Sequence, residues 1–185
     1  AWLGVLGLAD QPRPESRDVL VRLREMGLRP LVMLTGDNRG VAEAVGKALG
    51  VDQIKADLLP EDKVSAIQAL MQAHGPVAMV GDGVNDAPAL AQATVGIAMG
   101  GAGTGVALET ADVALMGDDL RTLPFAVGLS RQGARIIKQN LAISMAVIAL
   151  LVVATLLGWA GIGTAVLLHE GSTMVVVANS LRLLA

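Results

Sequence analysis

The run Val80-Gly81-Asp82-Gly83-Val84-Asn85-Asp86-Ala87-Pro88-Ala89-Leu90 ends an apolar stretch in a glycine-flanked loop carrying two carboxylates and one amide. Such a loop suits a hard cation such as Mg²⁺, which takes oxygen ligands and shares them with phosphate. Asp82 offers the direct ligand and Asp86 a second carboxylate. Asn85 and Asp86 stand close enough in sequence to orient Asp82 or its waters. Earlier in the chain, Leu34-Thr35-Gly36-Asp37-Asn38 offers the Thr35 hydroxyl and the Gly36 N–H to a phosphoryl oxygen. Lys63, after Leu59-Pro60-Glu61-Asp62, offers a cation. Phosphoryl transfer needs in-line positioning and neutralisation of charge on the transferred oxygens, and these three elements meet that need. Taken singly, each has an ordinary explanation: a turn or helix cap, a solvated first-turn lysine, a plain Gly-Asp-Gly turn. Their order at strand ends joins them into one candidate site.

A second set lies near the C-terminus, where Leu168-His169-Glu170-Gly171-Ser172-Thr173 interrupts an apolar run. An ionisable pair within a bilayer span is costly and marks a functional site by default. His169 and Thr173 are four apart and share a helix face, with Glu170 about 100° round from His169. Imidazole plus carboxylate suits Zn²⁺ or Co²⁺ and is poorly matched to Cu⁺. The ordinary alternative is a helix–helix polar contact eased by the small Gly171 and Ser172. Met145 and Met174 could act as soft ligands, although methionine in a packed helix is more often filler. His74, before Gly75, suits an exposed helix end.

The elements that must position the first set alternate in type. Strands are expected over 3–8, 31–34, 53–56, 77–80, 94–98 and 112–115. Helices are expected over 14–26, 40–49 and 60–73, where apolar residues recur on one face and glycines follow the last turn. Repeated strand–helix alternation implies a parallel, doubly wound α/β sheet. Ligands of such sheets bind beyond the carboxyl ends of the strands, where Thr35 and Asp82 both fall.

The second set belongs to a region of different composition. From Gln139 to Leu168 there is no Asp, Glu, Lys or Arg. Two apolar runs, 141–157 and 162–181, each approach the ~20 residues needed to cross a bilayer. Gly158-Trp159-Ala160-Gly161 separates them, with Trp159 suited to a membrane interface. The pattern predicts a two-helix transmembrane hairpin, with spans near 139–158 and 162–182, following an α/β domain over 1–120. Arg131, Arg135, Lys138 and Arg182 flank the hairpin, so residues 1–138 are expected on the cytoplasmic side. The alternative is a pair of buried helices in a soluble protein.

Composition narrows the rest. The chain has 185 residues, enough for one or two domains, and is 53% hydrophobic. Its mean hydropathy of +0.58 is high for a soluble protein. Aromatics are only 2%, so the core must be aliphatic. A net charge of -3, with scattered Lys and Arg, gives no reason to expect nucleic acid. There are no cysteines, which excludes disulfides and thiolate metal sites within these residues. The first residue is Ala1 and no signal peptide precedes the fold, which suits an internal start.

The Thr35 and Asp82 motifs together closely resemble the hinge and phosphorylation-domain signatures of P-type cation-transporting ATPases. The resemblance extends to Arg13-Pro14-Glu15, Val95-Gly96-Ile97-Ala98-Met99-Gly100 and Glu109-Thr110-Ala111-Asp112-Val113. It implies a phosphorylation domain of the haloacid-dehalogenase type. By resemblance, Thr35 contacts the phosphoryl group, Lys63 stabilises its charge, Asp82 binds Mg²⁺, and Asn85 and Asp86 support the site. Asp37 matches the hinge motif. The His-Glu-Gly-small-Thr run is similar to the cobalt/zinc branch of the heavy-metal-translocating members. That similarity implies Co²⁺, Zn²⁺ or Cd²⁺ as cargo, with His169, Glu170 and Thr173 as ligands.

The family carries its phosphate on an aspartate in Asp-Lys-Thr-Gly-Thr, which this sequence lacks. Gly105 also departs from the carboxylate many relatives carry after Gly-Thr. The chain is therefore expected to be the C-terminal piece of a bacterial plasma-membrane pump, inactive alone. The ATP site, actuator domain and other membrane helices would be supplied by the parent. The competing possibilities are a soluble haloacid-dehalogenase-type phosphatase and a non-catalytic membrane fragment that binds metal. If the chain is a fragment, its sheet should show a gap or unpaired edge where the acceptor strand belongs.

Overall fold

A computed structural model describes residues 12–83, 85–99, 109–115, 117 and 119–184. The strand expected over 3–8, and Gly105 with its neighbours, lie outside the described residues. The chain divides into two compact units, Ala1–Pro124 and Phe125–Ala185.

The first unit alternates α1 (Ser16–Glu25), β1 (Val32–Leu34), α2 (Arg39–Leu49), β2 (Gln53–Lys55), α3 (Pro60–His74), β3 (Ala78–Gly81), α4 (Ala87–Gln92), β4 (Val95–Met99) and β5 (Val113–Leu115). Local chemistry sets these boundaries. Asn38 caps α2 by accepting the Val41 N–H at 3.1 Å, and Gly50 ends the helix at φ +73°. Pro60 opens α3, and the Asp62 carboxylate accepts the Leu59 N–H at 3.0 Å.

All strand pairs are parallel, as the alternation predicts. Among the described residues they form two hydrogen-bonded sheets rather than one, β1-β2 and β3-β4-β5. The strands leading to Thr35 and Asp82 thus belong to different sheets. One core still serves both: Ile67, Met79, Ala89 and Leu90 are buried together, and Leu34 of β1 packs against them. β4 crosses this core closely. A Cβ on Gly96 would lie 2.6 Å from the Leu90 carbonyl oxygen, so only glycine fits without backbone movement.

A polar staple ties α1 to the first sheet. Arg24 donates to the Gly50 carbonyl at 2.7 Å and to Asp52 at 2.8 Å, and Asp52 accepts the Leu31 N–H at 2.7 Å. That N–H bond first, and then the Arg24 guanidinium, hold the Asp52 carboxyl below the ordinary carboxylate range, against an opposing effect of desolvation.

The second unit is dominated by α5 (Thr122–Leu156), whose first three residues lie in the first unit, and α6 (Ile162–Ser180), which ends in a 3₁₀ turn over Leu181–Leu183. The helix expected from 139 starts much earlier. The stretch holding Arg131, Arg135 and Lys138 is helical too, although hydropathy does not mark it. By length and composition, α5 is the one helix among the described residues apolar enough to cross a membrane. Only 11% of its most apolar window is buried, whereas the core helix of a soluble protein would be mostly buried. His169, Glu170 and Asn179 lower the hydropathy of α6. Polar side chains pair the two helices: Asn140 donates to Ser180 at 2.8 Å, and Asn179 donates to Asn140 at 2.8 Å and to Gln139 at 3.3 Å.

Candidate functional site

β1 ends at Leu34 and delivers Thr35; β3 ends at Gly81 and delivers Asp82. Each residue therefore leaves its strand at the carboxyl end. Thr35 remains tied to its sheet, since its N–H donates to the Lys55 carbonyl at 3.0 Å. Its hydroxyl donates to Asp37 Oδ2 at 2.9 Å and accepts the Asp37 N–H at 3.1 Å. Asp37 thus orients the Thr35 hydroxyl, a role its place in the motif did not reveal.

The Thr35 loop is laced to the start of α3. Leu58 N–H donates to the Thr35 carbonyl at 3.1 Å, and Asp57 N–H to the Asp37 carbonyl at 2.9 Å. Asp57 makes this turn at φ +57°, which aspartate tolerates better than most residues. A Cβ on Gly36 would sit 3.2 Å from the Leu58 carbonyl oxygen, so glycine keeps the two loops close. Leu59, the next residue, caps the helix that carries Lys63.

Lys63 reaches Asp86. Its Nζ lies 2.6 Å from Oδ1, and the two side chains are 16% and 17% exposed. Asp86 stands at the N-terminal boundary of α4, with its carboxylate against Gly81; a Cβ there would approach Oδ2 to 2.9 Å. The glycine before Asp82 therefore makes room for the carboxylate that holds Lys63. The Asp86 carboxylate, expected beside Mg²⁺, gives its Oδ1 to the Lys63 ammonium. Asp82 and Asn85 are both exposed.

The structure thus brings together Thr35 with Asp37 and Lys63 with Asp86, and connects the pairs through Leu58 and Leu59. The oxygens of Asp82, Asn85 and Asp86 are the hard donors Mg²⁺ takes. No group of three His, Cys, Asp or Glu side chains gathers among the described residues.

His169, Glu170 and Thr173 are all exposed on α6. Ser172 and Thr173 donate to the His169 carbonyl at 2.6 and 3.4 Å, so the Thr173 hydroxyl turns to its own helix here. Gln139, Asn140, Asn179 and Ser180 make polar contacts between α5 and α6, and Gln132 donates to the Arg182 carbonyl in the turn that follows α6. Sequence inspection missed this cluster, and the signal for it was amide side chains at the matching ends of two apolar runs.

Residues 1–94 match the family model of haloacid dehalogenase-like hydrolases. The chain is 54% identical over 184 residues to a probable cadmium-transporting ATPase of Staphylococcus aureus, covering 98% of this chain and 23% of that protein. It is 48% identical over 180 residues to a probable cation-transporting ATPase G of Mycobacterium bovis, covering 97% of this chain and 23% of that protein. A zinc-transporting PIB-type ATPase, solved in an E2.Pi state, superposes with a TM-score of 0.89 at 47% identity. The match covers 96% of this chain and 29% of that one. The chain therefore spans about a quarter of the length of these relatives.

Proposed function

The chain belongs to the haloacid dehalogenase-like hydrolase family, and from that premise we propose that it is one segment of a divalent-metal-exporting P-type ATPase. The parent couples formation and hydrolysis of an aspartyl phosphate, derived from ATP, to metal transport. The observation that carries this proposal is the presence of α5, long, apolar and largely unburied, in the same chain as the Lys63–Asp86 site. A soluble phosphatase has no use for such a helix. The likeness to cadmium- and zinc-transporting ATPases supports the same conclusion.

In this mechanism Thr35 and the Gly36 N–H hold phosphoryl oxygens. The Thr35 hydroxyl, now donating to Asp37, turns to the phosphoryl group when it arrives. Lys63 spends one N–H on Asp86 and keeps two for phosphoryl oxygens, because an ammonium has three donors. Asp86 fixes the ammonium at the end of β3 and limits its movement. Asp82 would hold Mg²⁺, with Asn85 and Asp86 as supporting oxygen donors; when bound, such an ion would neutralise charge on the transferred group. The acceptor carboxylate and most of the nucleotide site come from other parts of the parent, since no Asp-Lys-Thr-Gly-Thr occurs here.

The metal cargo meets His169 and Glu170 on α6, with Thr173 one turn on; we read α6 as the second span, its hydropathy lowered by these same polar side chains. Imidazole and carboxylate suit Zn²⁺, Cd²⁺ or Co²⁺ better than Cu⁺. Two strong ligands do not complete a tetrahedral site, so other helices of the parent supply the rest. The first unit lies on the cytoplasmic side of a bacterial plasma membrane.

The test is ATP-dependent uptake of Zn²⁺, Cd²⁺ and Co²⁺ by the parent protein in proteoliposomes. Asp82→Asn is expected to abolish both ATP turnover and uptake. His169→Ala should abolish uptake and metal-stimulated turnover while leaving phosphorylation by inorganic phosphate intact. Full uptake by Asp82→Asn would refute the phosphoryl-site assignment. Phosphatase turnover of small phosphoesters without any transport would favour the soluble enzyme.

A further inference from the structure

Arg131, Arg135 and Lys138 are exposed and lie at i, i+4 and i+7 on α5, which places them on one face. With Ala134, Gln139 and Ala142 they line a shallow recess of about 500 Å³. The two alanines leave the room, the cations surround it, and the Gln139 amide adds a donor. Like charges one turn apart repel each other, so the face gains from an anion. Among the described residues neither Arg135 nor Lys138 has an ion-pair partner. The second unit's sole acidic side chain is Glu170. Glu170 is ten residues along α6 from the Asn140–Ser180 contact, which is roughly 15 Å of helix.

Lys138 is the last charge before the charge-free stretch, so the recess sits where hydrocarbon gives way to headgroups. Just beyond it, Leu141 and Met145 are 63% and 59% exposed, an apolar surface fit for an acyl chain. Cations above and exposed aliphatic side chains below fit an amphiphile better than a free anion or an acidic protein segment.

We infer that this face of α5 is a binding site for the phosphate headgroup of an anionic phospholipid, an inference that rests on α5 crossing a membrane. Arg135 and Lys138 grip the phosphate, Arg131 lies one turn further from the bilayer, and one acyl chain follows Leu141 and Met145.

The test uses the full chain. Sedimentation with phosphatidylcholine vesicles first shows whether it enters a bilayer. Native mass spectrometry then counts lipids retained from an equimolar mixture of phosphatidylglycerol and phosphatidylcholine. Phosphatidylglycerol should be retained preferentially. Arg135→Gln with Lys138→Gln should lower its retention on the order of tenfold without changing phosphatidylcholine. Arg135→Lys with Lys138→Arg should preserve the preference, which separates loss of charge from loss of fold. A chain that enters vesicles yet retains both lipids equally, or whose preference survives the double glutamine change, would overturn the lipid site alone. Displacement of phosphatidylglycerol by excess inorganic phosphate would overturn it in favour of a free-anion site. Failure to enter vesicles at all would overturn the membrane-spanning premise and the lipid site with it.

Discussion

Lys63 on α3 and Asp86 at the start of α4 form a 2.6 Å ion pair across 23 residues of sequence, and Gly81 supplies the space in which it forms. The pair joins a helix that follows the Thr35 loop to a helix that follows the Asp82 loop. It therefore fixes the spacing of the two halves of the candidate phosphoryl site as well as the position of a cation.

Removing either partner should leave the other charge largely buried and uncompensated. Lys63→Ala and Asp86→Ala are each expected to cost about 1–3 kcal/mol, below the range of fully buried pairs because some water reaches this one. The double variant should cost less than the sum of the two. A double-mutant cycle from chemical denaturation measures that coupling, and a value of zero would show that the pair contributes nothing to stability.

Gly96→Ala should destabilise the first unit by about 1–3 kcal/mol, because the new methyl meets a backbone carbonyl in the core and cannot be relieved by a rotamer change. Gly133→Ala makes the contrasting case. Nothing lies within 4 Å of its Cβ position, and alanine should strengthen α5 by roughly 0.5–1 kcal/mol. Thermal unfolding of the two variants, followed separately in each unit, should move in opposite directions.

Asp52 gives a pH signature. Its carboxyl is held below the ordinary value of 3.8, first by the Leu31 N–H and then by Arg24. A carboxyl depressed in the folded state contributes fully above its unfolded value and loses that contribution as pH falls through the folded one. Wild type should therefore exceed Asp52→Asn by a constant margin above about pH 5, and the margin should shrink below about pH 4. Asp119, held low by Arg121, titrates in the same acid window in both proteins and cancels in the comparison. Denaturation midpoints across that range decide the matter, and a margin independent of pH would contradict the role given to Asp52.

The amide cluster between α5 and α6 should be worth little in absolute terms. Asn140→Val and Asn179→Val are expected to couple by roughly 0.5–1.5 kcal/mol, typical of hydrogen bonds between membrane helices. A cycle measured in detergent by helix unfolding would show it. A coupling indistinguishable from zero would leave the pair a matter of orientation only.

Much of the α/β unit was legible because periodicity and glycine punctuation are local signals. Among the described residues, strands and helices fall within a few residues of their expected places, and Thr35 and Asp82 leave strand ends as expected. α4 was missed because six residues give too little periodicity to declare a helix. The Lys63–Asp86 and Arg24–Asp52 pairs were illegible because their partners meet through space, and charge alone does not name a partner. The early start of α5 escaped for a different reason. Hydropathy marks where a helix meets lipid, not where it begins, and Arg131 through Lys138 lie on the same unbroken helix. Splitting into two sheets depends on what stands between β1 and β3, which these residues do not specify.

That unbroken helix has a mechanical side. Thirty-five residues at 1.5 Å each make a rod of about 52 Å, against about 30 Å of hydrocarbon. If α5 spans a bilayer as proposed, roughly 20 Å of it protrudes, with no proline after Pro124 to act as a joint. Such a protrusion is a lever. A tilt of roughly 10° within the bilayer swings its free end by about 4 Å, so small rearrangements among membrane helices arrive at the far end of α5 as displacements larger than a bond length.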